Sequence, residues 1–404
     1  MRQYEKSLSV KRGLRLLKLG WFCHNFMLIL PVIVLVYTQK GITVGDFFLI
    51  QGLFRIAAVL FEIPSGYMSD VFSRRRVLIC AAVVATLGFA IVAMAHGFWM
   101  IMLGEGLLGV SSALFSGTLE AYTYDLLKRT DSQKEFLREY GSVTTYGDIA
   151  AFVGTVLGGM LYAGVGGENL LWIETGIAAI AIFAYLFVPE LTEVKRVVNN
   201  KSAVVDAVSI TWKTMQNPKL RNFIMFPSIF GAFTIMLLWI MQPIMQTAAV
   251  PVSLFGFYVG ANQLSRAVFS KYAYKICDWF GNMTTSILSV LSVILSIIAG
   301  ILAMYVNNMV AVYILCAILA FVPSMQSLVK LQYNTLIHDC IKSQERGTVI
   351  STRAMVSMIL GAIVLIIAKF LVDGLGLTAT MICALFATIV LFWALRKVSK
   401  FVKK

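Results

Sequence analysis

Twelve apolar runs divide the chain, and this pattern limits its fold more than any other sequence feature. Each run is about 20 residues long, which as an α-helix matches the hydrocarbon core of a bilayer. Charged residues make up 13% of the 404 residues, about half of the ~25% typical of soluble domains. The predicted fold class is therefore an all-α polytopic membrane protein with twelve transmembrane helices. The runs have the approximate limits 16–38, 45–68, 77–95, 98–122, 141–163, 170–188, 223–246, 252–274, 283–305, 310–331, 349–370 and 377–396.

The longest polar interruption, residues 189–222, predicts a division into two halves. An N-terminal six-helix bundle occupies residues 1–188, and a C-terminal six-helix bundle occupies residues 223–404. A shift of 208 residues places Gly66–Arg74 over Tyr274–Asn282, with an aspartate and a phenylalanine in common. Repeated halves of this kind are typical of transporters that work by alternating access.

Basic residues lie mainly on one predicted side of the membrane. Of the 34 Lys and Arg residues, 29 fall at the chain ends, at alternate connections or in the adjoining turns of the flanking runs, whereas the opposite side has Lys40 and, at a helix end, Lys369. This excess predicts a multi-pass protein of the bacterial inner membrane whose termini and central loop are cytoplasmic. The net charge of +14 is then a topology signal, and we expect no nucleic-acid partner.

The sequence lacks the patterns that mark most enzymes and metal sites. Its six cysteines form no C-x-x-C pair, and its three histidines are scattered. It has no phosphate loop, zinc-protease motif or nucleophile elbow. We therefore predict no catalytic residue, no metal, no cofactor and no ATP-driven transport.

Residues at the end of the second span carry a family resemblance. Gly66–Arg76, GYMSDVFSRRR, resembles the G-x-x-x-D-R-x-G-R-R loop signature of the major facilitator superfamily. The preceding Phe61–Gly66, FEIPSG, is similar to the E-I-P-T-G segment of a bacterial branch, and Ser116–Ala121 is similar to that branch's fourth helix. The resemblance implies two six-helix bundles around a central cavity lined by helices 1, 2, 4, 5, 7, 8, 10 and 11. We expect a monomer in the lipid bilayer that carries a small molecule.

The same resemblance supplies most of a predicted cytoplasmic gate. It implies that Asp70 meets the start of the eleventh span and that a neighbouring arginine pairs with Asp125; Glu120 is added because its position places it beside Glu62. The predicted gating residues are Asp70, Arg74, Arg75, Arg76, Glu120 and Asp125.

Two departures separate the chain from proton-driven drug exporters. Glu105 stands where those exporters carry an arginine early in helix 4, and Gly154–Gly159 lacks the proline usual in helix 5.

Polar side chains inside the spans are the candidates for binding substrate and protons. A charge at the bilayer centre costs about 2.5–3.5 kcal/mol and normally faces protein or a wet cavity. Glu62 and Asp148 are the predicted proton-coupling residues, because burial favours the neutral form of a carboxylate. Arg266 and Lys330 have no acid in their own spans, so they either attract an anionic substrate or pair with acids of the first half. The predicted substrate-binding residues are Arg55, Asn25, Gln242, Asn262, Gln263, Arg266, Gln326 and Lys330.

Taken together, these features predict a secondary active transporter that exports a small organic molecule in exchange for protons. An importer of a metabolite or chelated metal, also linked to protons, is the alternative of the same class. A channel-like or lipid-scrambling protein is the alternative of a different class.

Overall fold

The computed structural model describes residues 2–191, 211–341 and 346–402. The regular elements in these ranges are all helical, which confirms the predicted all-α class. Lipid provides no partner for backbone N–H and C=O groups, and a helix pairs them internally. Ten helices in the described ranges are long and apolar enough to cross a membrane.

The helices have unequal lengths, and several are shorter than a full span. Those of the N-terminal part are α1 (Arg2–Asn25), α2 (Ile33–Gln39), α3 (Val44–Val71), α4 (Arg74–Met94), α5 (Phe98–Phe115), α6 (Thr118–Lys128), α7 (Phe136–Val165) and α8 (Gly167–Leu186). Those of the C-terminal part are α9 (Pro218–Thr247), α10 (Phe255–Ala303), α11 (Met309–Phe321), α12 (Gln326–His338) and α13 (Arg346–Val402).

Two helices are long enough to hold two spans each. Helix α10 has 49 residues and α13 has 57, and each contains one non-helical glycine. Gly281 and Gly376 have φ angles of 73° and 81°, a conformation open to glycine because it has no Cβ. The chain can change direction at both points. If each of these two helices is divided at its glycine, the ten candidate helices account for twelve apolar runs. The number twelve stays a prediction.

The chain divides into two compact units. The first unit comprises Met1–Ile42 and Leu53–Val198, and the second comprises Thr43–Gly52 and Asn199–Lys404. The core of the first unit contains two fully buried aromatic residues, Tyr122 and Tyr185. In the second unit, Tyr333 of α12 packs against two phenylalanines of α9, at ring-centroid distances of 5.9 and 5.1 Å.

The first predicted span, residues 16–38, lies within one candidate membrane span, Ser7–Gln39, but its helix is interrupted. Helix α1 ends at Asn25, and a 3-10 turn at Leu30–Val32 leads into α2. Pro31 lies in that turn, and proline has no N–H to continue an α-helical hydrogen-bond pattern. The residue before a proline is also driven away from α conformation. One predicted helix therefore becomes two.

The fourth and tenth predicted spans are interrupted as well. Helix α5 ends one residue before Ser116, and the next residue, Gly117, has a φ of 70°. Helices α11 and α12 are separated by the 3-10 segment Val322–Met325, which includes Ser324. The shift of 208 residues that relates the halves places Ser116 on Ser324. The interruptions therefore recur at one position of the repeat, as duplicated halves would give.

Candidate functional site

The predicted partner of Asp125 is Arg74, the first residue of α4. The Arg74 guanidinium donates to the Asp125 carboxylate and, at 2.6 Å, to the carbonyl oxygen of Ala121. Both acceptors lie on α6, so this contact joins the start of α4 to the second, shorter helix of the fourth predicted span. The ion pair is present, and its role in gating stays a prediction.

Glu190, just beyond α8, is a partner of the other two arginines. Its carboxylate lies 3.4 Å from Nη1 of Arg75 and 3.8 Å from Nη2 of Arg76. Its backbone carbonyl also accepts a hydrogen bond from Arg129. The sequence interpretation missed Glu190 because it assigned the residue to the central loop. The sequence signal that could have identified Glu190 is an acidic residue directly after a span, on the same predicted side of the membrane as two groups of basic residues.

Asp70 and Glu120 complete the predicted gating set. The side chain of Asp70 lies outside the described residues, as do those at the start of α13, so its predicted contact stays a prediction. Glu120 is exposed at the start of α6, and no hydrogen bond or ion pair joins it to another described residue.

Glu62 is half-buried on α3, and its carboxylate has a neutral partner. Its Oε1 accepts a hydrogen bond from the Ser116 hydroxyl at 3.0 Å. Within the described part of the chain no cation forms an ion pair with it. Ser116 lies at the interruption between α5 and α6, so the break in the fourth span provides the donor.

Asp148 differs from the buried position that the sequence suggested. It is exposed on α7, beside the exposed Tyr146 and Ile149. The buried face of α7 is formed instead by residues spaced three and four apart, Val143, Gly147 and Ala150, which a helix places on one side. The side of α7 that carries Asp148 is therefore not the side that packs into the first unit.

The most buried acids among the described residues of the first unit are two glutamates. Neither was among the predicted site residues. Glu105 of α5 is 4% exposed and Glu174 of α8 is 3% exposed. Glu105 accepts a hydrogen bond from the Tyr37 hydroxyl at 2.6 Å. Glu174 accepts one from the backbone N–H of Ile29 at 2.7 Å. This donor lies in the non-helical segment after α1, so Glu174 compensates for the break in the first span.

The same break explains the glycine pair of α7. A Cβ atom built on Gly158 would lie 1.8 Å from the carbonyl oxygen of Leu28, and one on Gly154 would lie 2.8 Å from the backbone nitrogen of Met27. The backbone of α7 therefore lies directly against the non-helical segment. Small residues four apart allow this approach. The place of the expected proline is the next residue, Gly159.

The two first-unit candidates for substrate binding differ in their contacts. Asn25 donates to the carbonyl oxygen of Trp21 at 2.8 Å, a bond within its own helix. Arg55 is half-buried on α3, and no hydrogen bond or ion pair reaches it from the described residues. The role of Arg55 in substrate binding stays a prediction.

The uncharged candidates of the second unit have mixed placements. Asn262 is buried and donates to the carbonyl oxygen of Ala320 at 2.7 Å, which joins α10 to α11. Gln242 is 1% exposed within α9, whereas Gln263 and Gln326 are half-buried. Asn262 therefore has a structural contact that accounts for its position.

Two exposed cations and one buried cation lie on three helices of the second unit: Arg266 of α10, Lys330 of α12 and Arg353 of α13. The first two were predicted, and Arg353 was missed because it was counted with the basic residues that set the topology. Its burial, at 7% exposed, separates it from them.

A separate ion-pair group in the second unit surrounds Lys369. Its Nζ lies 2.6 Å from the carboxylate of Asp46 and 3.0 Å from that of Asp373. The sequence interpretation used Lys369 for topology alone. The two acids belong to different helices, so their meeting could not be read from the chain.

Lys40 lies between two spanning helices, on the side opposite most basic residues. Its Nζ donates to the carbonyl oxygens of Ala93 at 2.7 Å and Ala95 at 3.1 Å. A cation is favoured there, because the free carbonyls at a helix C-terminus carry partial negative charge. Burial nevertheless lowers the pKa of Lys40, and the nearby Glu168 opposes that shift.

Comparison with known proteins agrees with this architecture. The sequence profile of the Major Facilitator Superfamily matches residues 21–365. A crystal structure of a mutant of the nucleoside transporter NupG superimposes with a TM-score of 0.84 at 13% identity, covering 96% of this chain and 99% of that one.

Two curated relatives match over shorter regions. A Na(+), Li(+), K(+)/H(+) antiporter of Planococcus maritimus is 26% identical over 40% of this chain and 39% of its own length. The bacillibactin exporter of Bacillus subtilis (strain 168) is 28% identical over 34% of this chain and 35% of its own length. The chain thus aligns with less than half the length of either relative.

The profile match covers most of the chain, and it confirms the predicted family. It also confirms the prediction of a transport protein rather than an enzyme. The chain belongs to the major facilitator superfamily and is a secondary transporter of that family.

Proposed function

We propose that this protein exports a small organic molecule in exchange for protons by alternating access. The observation that carries proton coupling is the setting of Glu62, whose described partner is a hydroxyl rather than a cation. A carboxylate without a countercharge inside a span can take up and release a proton. The names of two relatives, a Na(+), Li(+), K(+)/H(+) antiporter and a bacillibactin exporter, support exchange and export.

The proposal includes a defined orientation in the bacterial inner membrane. In this proposal both termini and the central loop are cytoplasmic, which the excess of basic residues at those segments supports. Single cysteines labelled by an impermeant thiol reagent in intact cells test this. Labelling is expected at Lys40→Cys and absent at both termini. The reverse pattern would overturn the orientation.

Transport itself is tested in two steps. A thermal-shift screen of metabolites and drugs on the purified protein identifies ligands, and each ligand is then followed in proteoliposomes with and without a pH gradient. Concentrative movement opposite to the proton flow is expected. Movement in the same direction as the protons would favour the importer. Lipid flux that ignores both gradient and ligand would favour the scramblase.

Variants locate the coupling proton. Glu62→Gln and Asp148→Asn are each expected to reduce uphill transport while downhill exchange persists, because exchange needs no proton. Glu135→Gln removes an exposed acid of the same unit and serves as the matched control. If both test variants still concentrate substrate as well as the control does, the coupling proton is not carried by either residue.

A further inference from the structure

An open groove lies at the basic end of the first span, between the start of α1 and the end of α8. Its lining consists of Leu8, Ser9, Arg12, Phe187 and Pro189. The groove has a volume of about 370 Å³. The two segments are in close contact beside it, because a Cβ atom built on Gly13 would lie 3.2 Å from Cδ of Pro189. The groove is therefore formed by packed residues of the first unit.

Arg12 brings a positive charge to this groove, and it is the one charged residue of the lining. Its side chain is exposed, and no hydrogen bond or ion pair joins it to a residue that the structure describes. Arg15 lies one turn further along the same face of α1 and is likewise exposed and unpaired within the described ranges. Glu190, the acid next to Pro189, is already paired with Arg75 and lies 3.8 Å from Nη2 of Arg76. The groove thus offers a cation to a ligand.

The backbone carbonyls at the end of α8 do not oppose an anion. Free carbonyls at a helix C-terminus carry partial negative charge, which would repel one. Here the carbonyl oxygen of Leu186 accepts a hydrogen bond from Arg75, and that of Pro189 accepts one from the Tyr122 hydroxyl. The next carbonyl, that of Glu190, accepts one from Arg129. These donors, two of which are cationic, offset the negative end of the helix.

Exposed apolar side chains continue from the groove along both helices. The exposed face of α1 comprises Leu8, Arg12, Arg15 and Leu19, whose spacings of four, three and four residues place them on one side. Leu19 is 46% exposed and lies about 10.5 Å beyond Arg12 along the helix axis. Phe183 is 61% exposed and lies about 6 Å deeper than Phe187 along α8. The charge therefore lies at the level of lipid headgroups, and the apolar faces extend toward the level of acyl chains.

We propose that this groove binds an anionic phospholipid, with the phosphate at Arg12 and Ser9 and the acyl chains along the exposed faces of α1 and α8. A guanidinium suits a phosphate, because it donates two parallel hydrogen bonds. The Ser9 hydroxyl, three residues earlier on the same face, adds a neutral donor. A soluble phosphate would make no use of the apolar faces. The site is separate from the proposed export activity.

Lipid binding to the purified full-length protein in detergent tests this without any transport step. Phosphatidylglycerol and phosphatidylcholine with the same acyl chains are the anionic and zwitterionic probes, and glycerol 3-phosphate is the soluble competitor. Native mass spectrometry across a lipid titration measures the lipid retained. Phosphatidylglycerol is expected to bind more tightly than phosphatidylcholine, and glycerol 3-phosphate is expected not to displace it.

Variants assign the binding to the groove. Arg12→Gln is expected to weaken phosphatidylglycerol binding about fivefold, equivalent to about 1 kcal/mol, and to leave phosphatidylcholine binding unchanged. Phe187→Ala is expected to weaken the binding of both lipids, because the apolar contact is common to both. Lys134→Gln removes an exposed charge elsewhere in the first unit and is expected to bind like the parent. Arg12 and Phe187 are exposed, so their variants are expected to melt like the parent without added lipid.

Three results would overturn the proposal. One is equal retention of phosphatidylglycerol and phosphatidylcholine by the parent protein. Another is an equal effect of Arg12→Gln and Lys134→Gln, which would mean that any surface charge attracts the lipid. The third is displacement of phosphatidylglycerol by glycerol 3-phosphate, which would identify the ligand as a soluble phosphate.

Discussion

Replacement of Gly158 by alanine tests the contact between α7 and the broken first span. The added Cβ would lie 1.8 Å from the carbonyl oxygen of Leu28, whereas ordinary contact begins at 3.4 Å. Either backbone must therefore move by about 1.6 Å. The atom in the way belongs to the main chain, so no side chain can rotate to make room.

The expected change in the free energy of unfolding follows from two opposing effects. Alanine gains about 1 kcal/mol over glycine in a helix interior. Overpacking costs about 1–3 kcal/mol, and a main-chain clash of this size belongs at or above the upper limit. A net loss of about 2 kcal/mol is expected for Gly158→Ala. At about 2–4 °C per kcal/mol for chains of a few hundred residues, the melting temperature should fall by about 4–8 °C.

Two further substitutions in the same helix make the experiment decisive. Gly164 has nothing within 4 Å of its added Cβ, so Gly164→Ala should leave the melting temperature unchanged or raise it slightly. The melting temperature of Gly154→Ala should lie between those of the other two variants, because the main-chain atom nearest to the added Cβ is 2.8 Å away. The assay is thermal unfolding of purified protein in one detergent. Equal melting temperatures for Gly158→Ala and Gly164→Ala would refute the close approach.

Three other contacts give further predictions. A double-mutant cycle with Arg74→Gln and Asp125→Asn should yield a coupling of about 1 kcal/mol by thermal unfolding, since both side chains are only partly exposed; zero coupling would contradict the ion pair. Tyr37→Phe should destabilise by about 1.5–3 kcal/mol, because it removes a donor from the buried Glu105; a melting temperature equal to the parent's would contradict that bond. Lys369→Met should lower the melting temperature, because it leaves the carboxylates of Asp46 and Asp373 together without their shared cation; a melting temperature equal to the parent's would refute this.

The apolar runs, the charge distribution and the loop motif could be read without coordinates. A span of about 20 apolar residues has few alternatives to a helix in lipid, since no other element pairs its own backbone groups except a closed barrel. The family followed from Gly66–Arg76, because a short motif is local in sequence. The pairing of Asp125 was also foreseen, with the exact arginine left open among three.

Where helices break was harder to predict. Pro31 gave a local signal that was outweighed by the hydropathy of its run, so the first span was drawn as continuous. The break is tolerated because Glu174, 145 residues away, accepts the N–H of Ile29. Hydropathy measures each residue separately and contains no information on such a partner.

The sequence by itself determined that this protein is an all-α membrane transporter of the major facilitator superfamily, because composition, length of runs and local motifs decide fold class in a bilayer. Only the tertiary structure decided which charged residues work together. It exposed Asp148 and buried Glu105, Glu174 and Arg353. Burial and electrostatic partnership depend on contacts between residues far apart in the chain, and these exist only after the helices have packed.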